Sequence, residues 1–113
     1  ILITGDAGFD TEKELLESGL DLGCDLWIMG RHRSDYSGIM EFVQAVDPSL
    51  IVAEEDRYPL AERVPERWVE AVRGAGIDLW RQGETGAVMI DVREGELELR
   101  SFRNPDKRAI YRK

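Results

Sequence analysis

Three short apolar runs, at residues 1–4, 25–29 and 50–53, restrict the folds open to this chain more than any other feature. Each is continuous rather than alternating, the pattern of a strand covered on both faces. Segments of helical period separate them. Strand and helix in alternation build a parallel sheet with helices packed against it, so an α/β class is expected.

The intervening segments carry the marks of helices. Over residues 11–18, Thr11 and Glu14 have capping-box spacing, Leu15 and Leu16 supply an apolar stripe, and Gly19 is a stop. Ile39, Phe42, Val43 and Val46 share one face of a helix over 39–46, closed by Asp47-Pro48. Pro65 suits a first helical turn, and Trp68, Val69 and Val72 face inward until Gly74 and Gly76. A fourth strand is expected at 77–80, followed by a turn at 82–86. Residues 87–92 and 96–102 then read as a hairpin across Arg93-Glu94-Gly95. In its second arm Leu97, Leu99 and Phe102 face inward while Glu96, Glu98 and Arg100 meet water, which suggests an antiparallel edge. The sheet system is therefore mixed. Residues 1–103 form the folded unit, and 104–113 read as a basic tail.

Charge is unevenly spread. Residues 100–113 hold six basic side chains against Asp106, a net of +5, which leaves −13 for residues 1–99 of the total −8. An acidic body does not attract phosphate backbones by its overall field, so any nucleic-acid contact needs a local device. No apolar stretch approaches the roughly 20 residues of a membrane helix. Cys24 is the only cysteine, which excludes an internal disulfide and a thiolate metal cluster.

In alternating α/β proteins, ligand chemistry gathers at the carboxyl ends of the strands. The first run ends in Gly5-Asp6, placing a carboxylate where it can ligate a cation or act as a base; its competing role is to cap the turn into the helix. The second run ends in Gly30-Arg31-His32-Arg33-Ser34, which holds the only histidine. Flanking arginines disfavour a protonated imidazole and favour a neutral, metal-binding or base form of His32. A bond to a carboxylate such as Asp35 is the competing role. Arg31 and Arg33 offer planar forks suited to phosphate, against solvated arginines paired to nearby carboxylates. The run Glu54-Glu55-Asp56 reads either as a loose cation site or as an exposed acidic loop.

These blocks resemble a known family. The opening Ile1-Leu2-Ile3-Thr4-Gly5-Asp6, the stretch Cys24-Asp25-Leu26-Trp27-Ile28-Met29-Gly30-Arg31-His32-Arg33-Ser34, and Glu41-Phe42-Val43-Gln44-Ala45-Val46-Asp47-Pro48 look like the C-terminal half of a metallo-β-lactamase-fold domain. The variety most similar is the domain of ComEC-type DNA-internalisation competence proteins, and Gly76-Ile77-Asp78-Leu79-Trp80-Arg81 continues the likeness to about residue 92.

The resemblance implies half of an αβ/βα sandwich, partnered by an N-terminal half that carries the family's principal metal loop. It implies a zinc or manganese ion held by Asp6 and His32, with His32 also serving as ligand or acid/base. Arg31 and Arg33 would touch phosphate, and DNA would be met through a parent protein in the bacterial plasma membrane. The segment itself would make no membrane contact, and alone it would be inactive. The family's strand usually ends in His-His-Gly-Ser; here arginines replace one histidine and the glycine. A catalytically degenerate binding or scaffold domain is therefore the rival reading, with a stand-alone metallo-hydrolase as a third.

Overall fold

Alternate residues of the second and third apolar runs enter two different cores, and this divides the molecule into three layers. The computed structural model describes residues 1–30, 37–55 and 64–112. Four strands, β1 (Leu2–Gly5), β2 (Leu26–Met29), β3 (Leu50–Ala53) and β4 (Asp78–Arg81), form one sheet in the order β1-β2-β3-β4. All three pairings are parallel. Helices α1 (Phe9–Glu17), α2 (Met40–Val46) and α3 (Glu66–Gly74) connect them.

On the helix side, Trp27 and Met29 of β2, Ile51 and Ala53 of β3, and Leu79 of β4 meet Phe42, Val43, Val46, Val69 and Val72. Trp27 and Phe42 pack edge to face with ring centroids 5.2 Å apart. Each such large side chain, fully buried, contributes about 1.5–3 kcal/mol. The Trp27 indole N–H is satisfied by the Thr4 hydroxyl at 3.0 Å, which ties β1 to β2.

The opposite face carries Leu26, Leu50, Val52 and Trp80, and the chain covers it with its own C-terminal sheet. After a four-residue helical turn, α4 (Gln82–Thr85), the strands β5 (Val88–Arg93), β6 (Glu96–Ser101) and β7 (Arg108–Arg112) pair antiparallel in that order. Leu99 is fully buried in this second core, with Val88, Ile90, Leu97, Ala109 and Tyr111 around it. Among the described residues nothing covers this face of β1, where Ile3 is 69% exposed, and Ile1 just before the strand is 51% exposed.

The α/β class and the C-terminal hairpin follow the sequence reading, but four details differ. Residues 104–113, read as a tail, hold β7, whose alternation turns Ala109 and Tyr111 inward and Arg108 and Arg112 outward. β6 is consequently a central strand, not an edge. Phe102 lies beyond the end of β6 and is 69% exposed rather than inward. The capping box of α1 does not form: the helix starts at Phe9 behind Gly8, with no side-chain cap.

Candidate functional site at the carboxyl edge of the parallel sheet

Because the four strands run the same way, their carboxyl ends reach one edge of the sheet. Gly5-Asp6, Gly30, Glu54-Glu55 and Arg81 all stand there. The ends of β1 and β2 approach unusually closely. A Cβ on Gly30 would lie 1.8 Å from the carbonyl oxygen of Gly5, so no residue but glycine fits. The register slips between Ile3 and Gly5, and Gly5 takes a left-handed φ of 57°. This irregularity carries the end of β1 across β2. The Ala7 N–H then bonds the Thr4 carbonyl, and the Ser37 hydroxyl donates to the Ala7 carbonyl at 2.6 Å.

Asp6 is exposed at the tip of this turn, and among the described residues its carboxylate has no hydrogen-bond or ion-pair partner. The capping role is therefore not the one it plays. His32, Arg31 and Arg33 lie outside the described residues, as do Ser34, Asp35, Asp56, Arg57 and Tyr58. Among the described residues, no group of three or more histidine, cysteine, aspartate or glutamate side chains is arranged to hold a metal. A catalytic zinc takes three protein ligands, and Asp6 alone does not supply them.

The carboxylate at this edge that is fully engaged is Glu55. It is 7% exposed and accepts the Val64 N–H at 2.9 Å and Arg81 through Nε and Nη2, the latter at 2.7 Å. Arg81 is equally buried and gives its remaining nitrogen to Glu66 at 3.0 Å, with Glu84 at 3.8 Å. The hydrogen bond to Glu55 leads in holding the guanidinium above its ordinary range, the charges of Glu55 and Glu66 add to it, and burial opposes it. Packing is tight enough that a Cβ on Gly83 would meet a Glu55 oxygen at 2.9 Å. Glu54, its neighbour, stays exposed. The acidic run is thus neither a loose cation site nor wholly a solvated loop at residues 54–55. Glu55 joins the exit of β3 to the approach to α3 and the end of β4.

A second buried carboxylate was not singled out by the sequence reading. Glu12 of α1 is fully buried, and both of its oxygens accept the Gly38 N–H, at 2.7 and 3.0 Å, while one also accepts the Ile39 N–H at 3.0 Å. Gly38 and Ile39 lead directly into α2, so Glu12 caps that helix from another part of the chain. The indole of Trp68 donates to the Gly38 carbonyl at 2.6 Å, and α3 is thereby tied to the same point. A signal was present: Glu12 stands three and four residues before Leu15 and Leu16, on the inward stripe of α1.

No family model, curated protein or solved structure matches this chain. No helix among the described residues is long and apolar enough to cross a membrane.

Proposed function

We propose that the chain is part of a metallo-β-lactamase-like domain in a ComEC-type protein of DNA uptake, and that it serves there as a DNA-binding scaffold rather than a hydrolytic centre. The observation that carries this reading is the Glu55–Arg81 pair. The buried carboxylate at the carboxyl edge is committed to an arginine and a backbone N–H, not left open to a cation. The sequence around His32 points the same way, since Arg31 and Arg33 place two fixed positive charges beside the only imidazole. Such arginines repel a metal and attract phosphate. The exposed apolar residues Ile3 of β1 and Ile1 just before it support a further part of the domain packing there, because parallel sheets ordinarily have both faces covered. Membrane attachment belongs, on this reading, to the parent protein.

A metal-dependent phosphodiesterase is the second reading, favoured by the contact of Gly5 with Gly30, which joins the strand ends preceding Asp6 and His32. In it Asp6 and His32 would be ligands, and the arginines would contact phosphate.

Fluorescence anisotropy with labelled single- and double-stranded oligonucleotides separates the two. Binding that weakens steeply with salt, is lost in the R31E/R33E variant, and is unaccompanied by cleavage in Mn²⁺ or Zn²⁺ is expected. Cleavage abolished by D6N would establish the enzyme instead, and failure to bind either strand form would remove DNA from the reading.

A further inference from the structure

The two sheets differ in width by one strand. Tyr111 of β7 donates to Asp78 of β4 at 3.5 Å, and Lys107, just before β7, lies over the Trp80 ring at 5.4 Å, so β7 lies over β4. β5 then falls on the β2 side, where Leu26 and Ile28 belong to the core between the sheets. No residue of β1 enters that core. Among the described residues nothing stands over Ile3, which is 69% exposed. The place beside β5 and over β1 is one strand wide.

The edge bordering this place offers backbone groups to a partner strand. Phe102 donates its N–H to the carbonyl of Ala87, the residue directly opposite it, which makes the two a hydrogen-bonded pair of the antiparallel ladder. Such pairs alternate, so Met89, Asp91 and Arg93 bond β6. The N–H and C=O groups of Val88, Ile90 and Val92 point to the open side, and among the described residues β5 has no second neighbour. The same three residues share the inward face. Val88 and Ile90 pack on the core between the sheets, while Val92 stays 64% exposed. Free edges are ordinarily blunted by a proline, a bulge or an inward charge. β5 has none of these: its register with β6 is unbroken from Val88 to Arg93, and its inward side chains are all apolar.

We propose, resting on the reading of this chain as part of a larger domain, that one further β-strand from polypeptide outside residues 1–113 pairs with β5 and lies over β1. Its alternate side chains are apolar and cover Ile3 and Val92. Those between them are polar and continue the outer face of Met89, Asp91 and Arg93. Such a strand prolongs the interface that already joins the two sheets, extending the second core from β2 to β1. A second copy of the chain does not fit this place. Joined β5 to β5, it would bring its own four-stranded sheet into the space that β1 occupies. A helix would leave the free backbone groups of Val88, Ile90 and Val92 unpaired beneath it.

Hydrogen exchange of the full-length protein, read at single amides, provides the test. Val88, Ile90 and Val92 should exchange within about tenfold of Met89 and Asp91, whose bonds to β6 make them internal controls. Ile3→Lys puts a charge beneath the added strand and should speed the three amides at least about tenfold while both controls keep their rates. Ile3→Ala removes apolar cover without adding a charge; it should give the same pattern more weakly, and it serves should the lysine variant fail to fold. Exchange of the three amides more than about tenfold faster than the controls in the unaltered protein would overturn the proposal. So would protection that neither substitution disturbs. Protection that disappears on dilution would also overturn it, by assigning the edge to a second copy of the chain. Oligonucleotide binding is read separately. Its loss with the three amides protected would refute DNA handling alone, and its retention with them unprotected would refute the added strand alone.

Discussion

Gly30 stands so close to Gly5 that a methyl group on it would lie 1.8 Å from the Gly5 carbonyl oxygen. Neither backbone can move aside cheaply, because β2 is held between two cores and β1 is tied to it through Thr4 and Trp27. The close approach of the two strand ends depends on the absence of a side chain at Gly30.

Gly30→Ala is therefore expected to destabilise the fold by more than about 3 kcal/mol, within the range reserved for gross steric conflict. Gly5→Ala meets no atom within 4 Å and suffers only from its left-handed backbone, at roughly 1–2 kcal/mol. Urea unfolding of both variants checks the order; equal losses would contradict the close approach.

Removing one partner of the Glu55–Arg81 pair leaves an unmatched buried charge. Arg81→Ala and Glu55→Ala should each cost about 3–5 kcal/mol, while an apolar Glu55→Leu/Arg81→Met double variant should cost less than either. Glu66→Ala, whose side chain is 64% exposed, should cost within about 1 kcal/mol. Chemical denaturation of the four proteins decides the matter, and an additive double variant would refute the pairing.

Glu12 makes a similar prediction at a different place. Its charged bonds to Gly38 and Ile39 are each worth about 1.5–3 kcal/mol, so Glu12→Ala should lower the melting temperature markedly, with Glu12→Gln intermediate because it keeps one acceptor oxygen. Hydrogen exchange at Gly38 should accelerate in the alanine variant. Unchanged exchange would mean that the α2 start is held by other contacts.

The four parallel strands and three helices were legible because burial on two faces and burial on one stripe leave different periods in the sequence. The place of β7 was not. Its five residues hold two arginines, and Ala109 and Tyr111 gain meaning only once Leu97 and Leu99 lie beside them. Glu12 and Arg81 were missed for a related reason. A charged residue on an apolar stripe or at the end of a buried strand looks like an exception until its partner, 26 residues away in both cases, is known. Asp6 directly follows β1, as its position after an apolar run suggested, and the four strand ends share one edge because the sheet is parallel. Arg31, His32 and Arg33 fall outside the described residues.

Tyr111 gives a pH dependence. Burial first, then the charge of Asp78 and its hydrogen bond, push the hydroxyl up to about 12. Its unfolded value is about 10, so the folded state prefers the protonated form. The resulting stabilisation is complete below about pH 10 and is lost as pH rises from there towards 12. Absorbance titration of tyrosinate in a Y36F/Y58F background should show this late transition, moved to lower pH by Asp78→Asn. A midpoint near 10 that Asp78→Asn leaves in place would contradict it.

Whether the carboxyl edge is a scaffold or a metal centre is tested most directly by calorimetric titration of the full-length protein with Mn²⁺ and with Zn²⁺. No saturable uptake is expected, and D6N and H32A should give the same flat trace. One or two ions bound per chain, released by either substitution, would contradict the reading and return the edge to hydrolytic chemistry.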